Sequence, residues 1–249
     1  MRLTTGWHKA RYAGPLWDEI ACFVDDWVAS DKVANYVASY TAERPERAVD
    51  DLEKRYIARF LPHDREIVTL DSDDIFLGFA LQPNLIKFIT NCMGGHQPTL
   101  HYYDIWHTFP LADGRDRIGS QGWHRDAEAF GKPNRVIKVF LYLSDCLEVG
   151  AGPFEMVGEA GPVSFSMRRG DLLIADTGAW LHRGGYSTTL PRTYVVWVYT
   201  DSDEILTKPR YNLTDEARAK FASPVLFEHR DWVTKRELLE NARMVGSKS

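Results

Sequence analysis

The hydrophobic period of this chain changes near Pro98, and that change limits the fold more than any other feature. Before it, apolar residues recur at helical spacing: Leu16, Ile20, Phe23, Val24, Trp27 and Val28 share one stripe behind Gly14-Pro15. Asp18 and Glu19 suit the positive end of that helix. Ser30-Asp31 is placed to cap a second helix. A third is expected from about Pro45, with Val49, Leu52, Tyr56, Ile57 and Phe60 inward, and a fourth over Asn84 to Met93, stopped by Gly94-Gly95. After Pro98 the pattern is that of strands: Thr99 to Trp106, Arg135 to Leu143, and Leu172 to Ala175 behind the Gly170-Asp171 turn. From Arg192 to Thr200 the alternation is clear, with Arg192, Tyr194, Val196 and Val198 on one face and Thr193, Val195, Trp197 and Tyr199 on the other. Thr234 and Glu237 form a T-x-x-E capping box before Leu238 and Leu239.

The expectation is therefore an all-β core with helical additions, a sandwich or jelly roll with N-terminal helices packed on it. We expect one domain over 1–249: a mainly helical N-terminal segment over 1–97, a β core over 98–200 and a helical tail over 201–249, without repeats or linkers. A net charge of −5 with no basic block gives nucleic acid and anionic lipid nothing to attract through bulk charge. No apolar run reaches the ~18 residues of a membrane span, and Met1 to Ala10 leads into no apolar signal segment. Cys22, Cys92 and Cys146 are odd in number and far apart, as suits buried free thiols in a reducing cytosol better than a disulfide framework. Oligomeric state is left open.

The chemistry concentrates in His124-Arg125-Asp126, with His182 downstream and Arg192 ten positions later. In an extended segment, residues i and i+2 point the same way, so His124 and Asp126 can reach one ion while Arg125 points elsewhere. With His182 supplied by another strand, two imidazoles and a carboxylate occupy one face of a ferrous ion and leave the other open. The triad alone suits zinc equally. Arg192 lies on an apolar strand, and a guanidinium facing a barrel interior needs an anion. That anion is either a ligand dicarboxylate or a structural Asp or Glu.

Further readings surround this centre. Trp123 can wall it from water, and Ser120-Gln121-Gly122 is a turn leading into it. Lys138 interrupts an apolar strand, either as an edge-strand residue facing solvent or as a buried lysine needing an anion. Asp176 or Trp180 can orient the His182 ring. Trp106, His107 and Tyr142 either line a pocket or belong to the core. Arg125 and Arg183, each beside a ligand candidate, can face substrate or solvent. Ala127 to Asn134 reads as a loop and candidate lid.

In order and kind, Trp123-His124-Arg125-Asp126, Gly152-Pro153, Gly170-Asp171, His182-Arg183-Gly184 and Arg192 resemble the phytanoyl-CoA dioxygenase-like Fe(II)/2-oxoglutarate-dependent oxygenases over roughly residues 98 to 200. The resemblance implies a double-stranded β-helix, cupin-like, holding Fe(II) through His124, Asp126 and His182. It implies that Arg192 grips the distal carboxylate of 2-oxoglutarate as co-substrate, with Ser187 offering a hydroxyl to the same group. Gly184 stands where the family often has serine. The metal-side carboxylate would be met from the preceding strand, with His101, Tyr103 and Trp106 as candidates and Tyr103 chosen for the site. Arg125, Trp106, Lys138 and Arg183 are the substrate-binding candidates.

The implied reaction is dioxygen-dependent hydroxylation of a C–H bond in a small or medium polar metabolite, releasing succinate and carbon dioxide. Asp126 favours hydroxylation, since related halogenases place Gly or Ala there. Two rivals stand: a cupin-like metal-dependent isomerase or hydrolase without 2-oxoglutarate, and a non-catalytic binding module.

Overall fold

Residues 6–41, 56–59, 67–110, 121–126, 135–201 and 209–246 are described by the computed structural model of the chain. In chain order the elements are β1 (Trp7–Arg11), α1 (Trp17–Val28), α2 (Asp31–Thr41), β2 (Tyr56–Ala58), β3 (Val68–Leu70), α3 (Ile75–Ala80), α4 (Pro83–Cys92), β4 (Thr99–Thr108), β5 (Val136–Tyr142), β6 (Glu155–Gly158), β7 (Gly161–Ser164), β8 (Asp171–Asp176), β9 (His182–Arg183), β10 (Arg192–Thr200), β11 (Tyr211–Leu213), α5 (Asp215–Lys220) and α6 (His229–Gly246).

Alternation along the long strands builds a sheet that is apolar on both faces. Its order is β1-β8-β5-β10-β4-β2, antiparallel throughout. On one face Ile137, Val139, Leu141, Val195, Trp197 and Tyr199 pack against Ile20 and Val24 of α1, Phe76 and Phe79 of α3, and Ile89 of α4. Trp197 Nε1 donates to Phe76 O at 2.9 Å and Tyr199 O–H to Ala80 O at 2.8 Å, which ties α3 to the sheet. On the other face Val136, Phe140, Leu173, Ala175, Tyr194 and Val196 meet Phe154 and Met156 of a second sheet, ordered β7-β6-β9. A bridge between His124 and His182 extends that second sheet. From β4 to β10 the chain alternates between the sheets: large at β4, small at His124, large at β5, small at β6 and β7, large at β8, small at β9, large at β10.

Several local expectations give way to tertiary pairing. Tyr56–Ala58 is a strand on the edge of the large sheet, paired with β4, not the end of a helix. The rest of that expected helix, Pro45 to Arg55, lies outside the described residues. The Ser30 hydroxyl donates backwards to Trp27 O at 2.6 Å, so it closes α1 and does not cap α2. Thr234 lies inside α6, where its hydroxyl donates to Arg230 O at 3.1 Å, so it caps nothing. The pairing of β10 with β4 passes from Val198 opposite Tyr102 to Tyr199 opposite Leu100, leaving His101 as the extra residue of a bulge.

Candidate metal centre

His124 and His182 face each other across the short bridge and exchange both backbone hydrogen bonds, each 3.0 Å. That pairing puts the two imidazoles side by side, with ring centroids 4.2 Å apart. Each ring is fixed at Nδ1 by a main-chain carbonyl, His124 by Gly122 O at 2.8 Å and His182 by Trp180 O at 3.2 Å. An imidazole that donates at Nδ1 carries its lone pair at Nε2, so both rings present an unprotonated nitrogen to the interior. Asp126 is held by its N–H, which donates to Thr177 O at 2.9 Å. Asp126 Oδ1 lies 3.8 Å from His124 Nε2, and Oδ2 lies 3.4 Å from His182 Nε2. One ligand atom from each of the three residues falls within 4.8 Å of the others, so they can share a cation.

The electrostatics suit a cation as well. Burial, and after it the Lys138 ammonium, pushes the His182 imidazole down to about 3, so it is neutral and ready to ligate. Burial alone would raise the Asp126 carboxyl, but the Lys138 ammonium beside it overrides this and holds the group below its usual range. His182 Nε2 is buried and has no hydrogen-bond partner. An orphaned buried nitrogen facing a carboxylate suits a metal ligand, because one shared cation satisfies both groups at once.

Lys138 lies on β5, a central strand of the large sheet flanked by β8 and β10. The edge-strand reading is therefore wrong, because strand order brings Lys138 inward. Its Nζ sits 2.7 Å from Asp126 Oδ2, with 15% of the side chain exposed.

Arg192 is 4% exposed. Its Nη1 donates to Gly152 O, its guanidinium carbon lies 5.2 Å from the Tyr194 ring centre, and its Nε has no partner. Among the described residues no carboxylate pairs with it. Gly152 adopts φ +67°, and a Cβ there would stand 2.7 Å from Ser187 N. Glycine is needed for its carbonyl to reach the guanidinium.

A cavity partly open to solvent joins these features, lined by His124, His182, Lys138, Arg192, Trp106 and Gln121 among others. Trp106 is thus where a pocket residue was expected. Tyr103 is not: the His101 bulge turns it to the helical side, where its hydroxyl bonds Asp74 Oδ2 and its ring stacks on Phe76. Tyr102 lines the cavity instead. Ser187 donates to Ala151 O at 3.2 Å, and it is Gly184 that reaches the cavity wall. Arg125 is exposed, with Nε donating to Ala179 O at 3.1 Å. Arg183 pairs with Glu155 and lies 4.2 Å over the ring of Trp123. Trp123 itself is 37% exposed, so alternation puts both outside and neither walls the cavity.

Asp176 pairs with Arg135 at 2.7 Å and accepts from Ala179 N, and it is the Trp180 carbonyl that orients His182. His107 meets Thr193 Oγ1 at 2.9 Å, and Tyr142 is core. Gln121, a turn residue by sequence, is buried, with Oε1 unpartnered at the cavity. The candidate lid, Ala127 to Asn134, lies outside the described residues.

No family model matches the sequence, and no curated protein does either. Solved structures do match in fold. The non-heme alpha ketoglutarate dependent epimerase SnoN from nogalamycin biosynthesis aligns with TM-score 0.50 and 15% identity over 86% of this chain and 92% of its own. HygX from Streptomyces hygroscopicus, solved with nickel and 2-oxoglutarate, aligns with TM-score 0.50 and 14% identity over 85% and 87%. EctD from S. alaskensis, solved with 2-oxoglutarate and 5-hydroxyectoine, aligns with TM-score 0.52 and 15% identity over 84% and 77%. At these identities the likeness is one of fold. No described helix is long and apolar enough to cross a membrane.

Proposed function

We propose that the chain is an Fe(II)- and 2-oxoglutarate-dependent oxygenase of the phytanoyl-CoA dioxygenase-like kind, built on a double-stranded β-helix. The alternation of strands between the two sheets supports that reading of the fold. In this reading His124, Asp126 and His182 hold the iron, and Arg192 receives the distal carboxylate of 2-oxoglutarate. The observation that carries it is the pairing, on one cavity, of a two-histidine, one-carboxylate cluster with a buried arginine that lacks a protein anion. Bound iron would supply dioxygen activation coupled to decarboxylation of the co-substrate, and so oxidation of a substrate C–H bond.

The chain's own residues position and shield. Gly122 O and Trp180 O lock the imidazoles, and Gly152 O aims the guanidinium. Phe140, Phe154 and Tyr194 make the walls, which limit water at the reacting face.

Purified protein given Fe(II), ascorbate and 2-oxoglutarate should release succinate, slowly even without a prime substrate. Asp126→Ala should lose at least about a hundredfold in Co(II) affinity, read by visible absorption, as removal of one of three ligands requires. Unchanged metal binding would remove Asp126 from the site. A metal-dependent isomerase or hydrolase, or a non-catalytic binding module, predicts no 2-oxoglutarate binding, and direct titration separates these from the oxygenase.

A further inference from the structure

We propose that Lys138 is a specificity-determining residue, and that the substrate of this site is an organic monoanion whose carboxylate is received by the Lys138 ammonium. The proposal rests on the oxygenase reading above and adds the charge class of the substrate to it.

A balance of charge among side chains that are mostly buried supports it. Among the described residues that line the cavity, Arg192 and Lys138 are cations and none is a carboxylate; Asp126 stands behind the lining, against Lys138 and the two histidines. Asp104, the buried carboxylate of β4, belongs to a separate cavity with Arg210. A ferrous ion and the 2-oxoglutarate dianion cancel each other, and Asp126 cancels one of the two side-chain cations. Counted over the described residues, one positive charge remains in the loaded cavity, and without Lys138 that sum would be zero. A buried net charge is costly unless an opposite charge arrives with the ligand.

Placement agrees with the balance. Lys138 projects from the inner face of a central strand, level with Val198 on β10 and Ala175 on β8, and its head reaches the metal-ligand side of the cavity. Its contact to Asp126 Oδ2 uses one of the ammonium's three donors, which leaves others for an incoming oxygen. The flexible four-carbon stem lets the head shift between Asp126 and a ligand without moving the strand. Around it, Tyr102, Trp106 and Phe140 offer apolar and aromatic wall, suited to the body of an organic acid.

The test uses full-length protein loaded with Zn(II) and 2-oxoglutarate, so that no turnover intervenes. The probes are matched sets of aromatic and aliphatic monocarboxylic acids, their primary amides and the corresponding amines, titrated by calorimetry. The wild type should prefer acids over amides by about tenfold or more, the worth of one charge-assisted contact in a partly buried place. Lys138→Arg should keep the preference, Lys138→Met should bring the ratio to about one, and Lys138→Glu should turn it towards the matching amines.

Equal binding of acids and amides by a wild type that does bind 2-oxoglutarate overturns the proposal and leaves the oxygenase reading standing. Loss of metal or 2-oxoglutarate binding in Lys138→Met also overturns it, because the lysine would then act on Asp126 or the co-substrate. A wild type that binds no 2-oxoglutarate removes the charge balance, and both readings fall together.

Discussion

Replacing Arg192 with methionine tests whether its charge is there for the fold or for a ligand. The guanidinium is 4% exposed, and its protein acceptor is the Gly152 carbonyl. Its Nε is buried without a partner, and so gives up water for nothing until an anion binds. An apolar side chain of similar length removes that burden. Comparable replacements of buried charge are neutral or stabilising by about 1–4 kcal/mol. The lost interaction with Tyr194, at 5.2 Å, returns about 0.5–1 kcal/mol of this. At about 2–4 °C per kcal/mol for a domain of this size, the ligand-free melting temperature should hold steady or rise by a few degrees.

Binding should change in the opposite direction. Truncating one partner of a buried charge pair costs about 2–5 kcal/mol, or about 30- to 5000-fold in 2-oxoglutarate affinity. Thermal scans with Mn(II), with and without 2-oxoglutarate, read both effects at once. The wild type gains about 2.7 kcal/mol at a hundred times Kd, and the variant gains almost nothing at the same concentration. A variant that melts more than about 2 kcal/mol less stable, yet still responds fully to 2-oxoglutarate, would show Arg192 to be a structural cation and refute the reasoning.

Other outcomes follow from the same contacts. Gly152→Ala puts a Cβ 2.7 Å from Ser187 N at a φ of +67°, so it should cost more than about 1 kcal/mol and, by moving the carbonyl on Arg192, weaken 2-oxoglutarate binding about tenfold by calorimetry. Trp197→Phe loses the bond to Phe76 O and part of the stack on Phe79, and should cost about 2–3 kcal/mol in urea with an unchanged m-value. Burial pushes His107 down to about 4, so between about pH 6.5 and 4 the unfolded chain binds a proton that the folded one refuses. Its contribution to stability is complete above about pH 6.5 and falls by up to about 1.4 kcal/mol per pH unit on acidification. His107→Asn should flatten that slope in urea titrations. Asp74 and Asp176, raised by burial, act with the opposite sign in both proteins and cancel in the comparison.

Much of this was legible in the residue order because it depends on local geometry. The alternation of Arg192 to Thr200 predicts which side chains share a face, and β10 obeys it, with Val195, Trp197 and Tyr199 towards the helices and Tyr194, Val196 and Val198 towards the second sheet. The i, i+2 spacing of His124 and Asp126 likewise predicts a shared direction, and their ligand atoms do converge with that of His182. What tertiary structure alone decided is everything that depends on which strand lies beside which. One bulge at His101 exchanged Tyr103 for Tyr102 at the cavity. Strand order placed Lys138 in the middle of the sheet and against Asp126, and the bridge between His124 and His182 brought Arg183 over the ring of Trp123. Periodicity is set by each residue's own backbone, whereas register and neighbours are set by hydrogen bonds between segments far apart in the chain, so no local pattern encodes them.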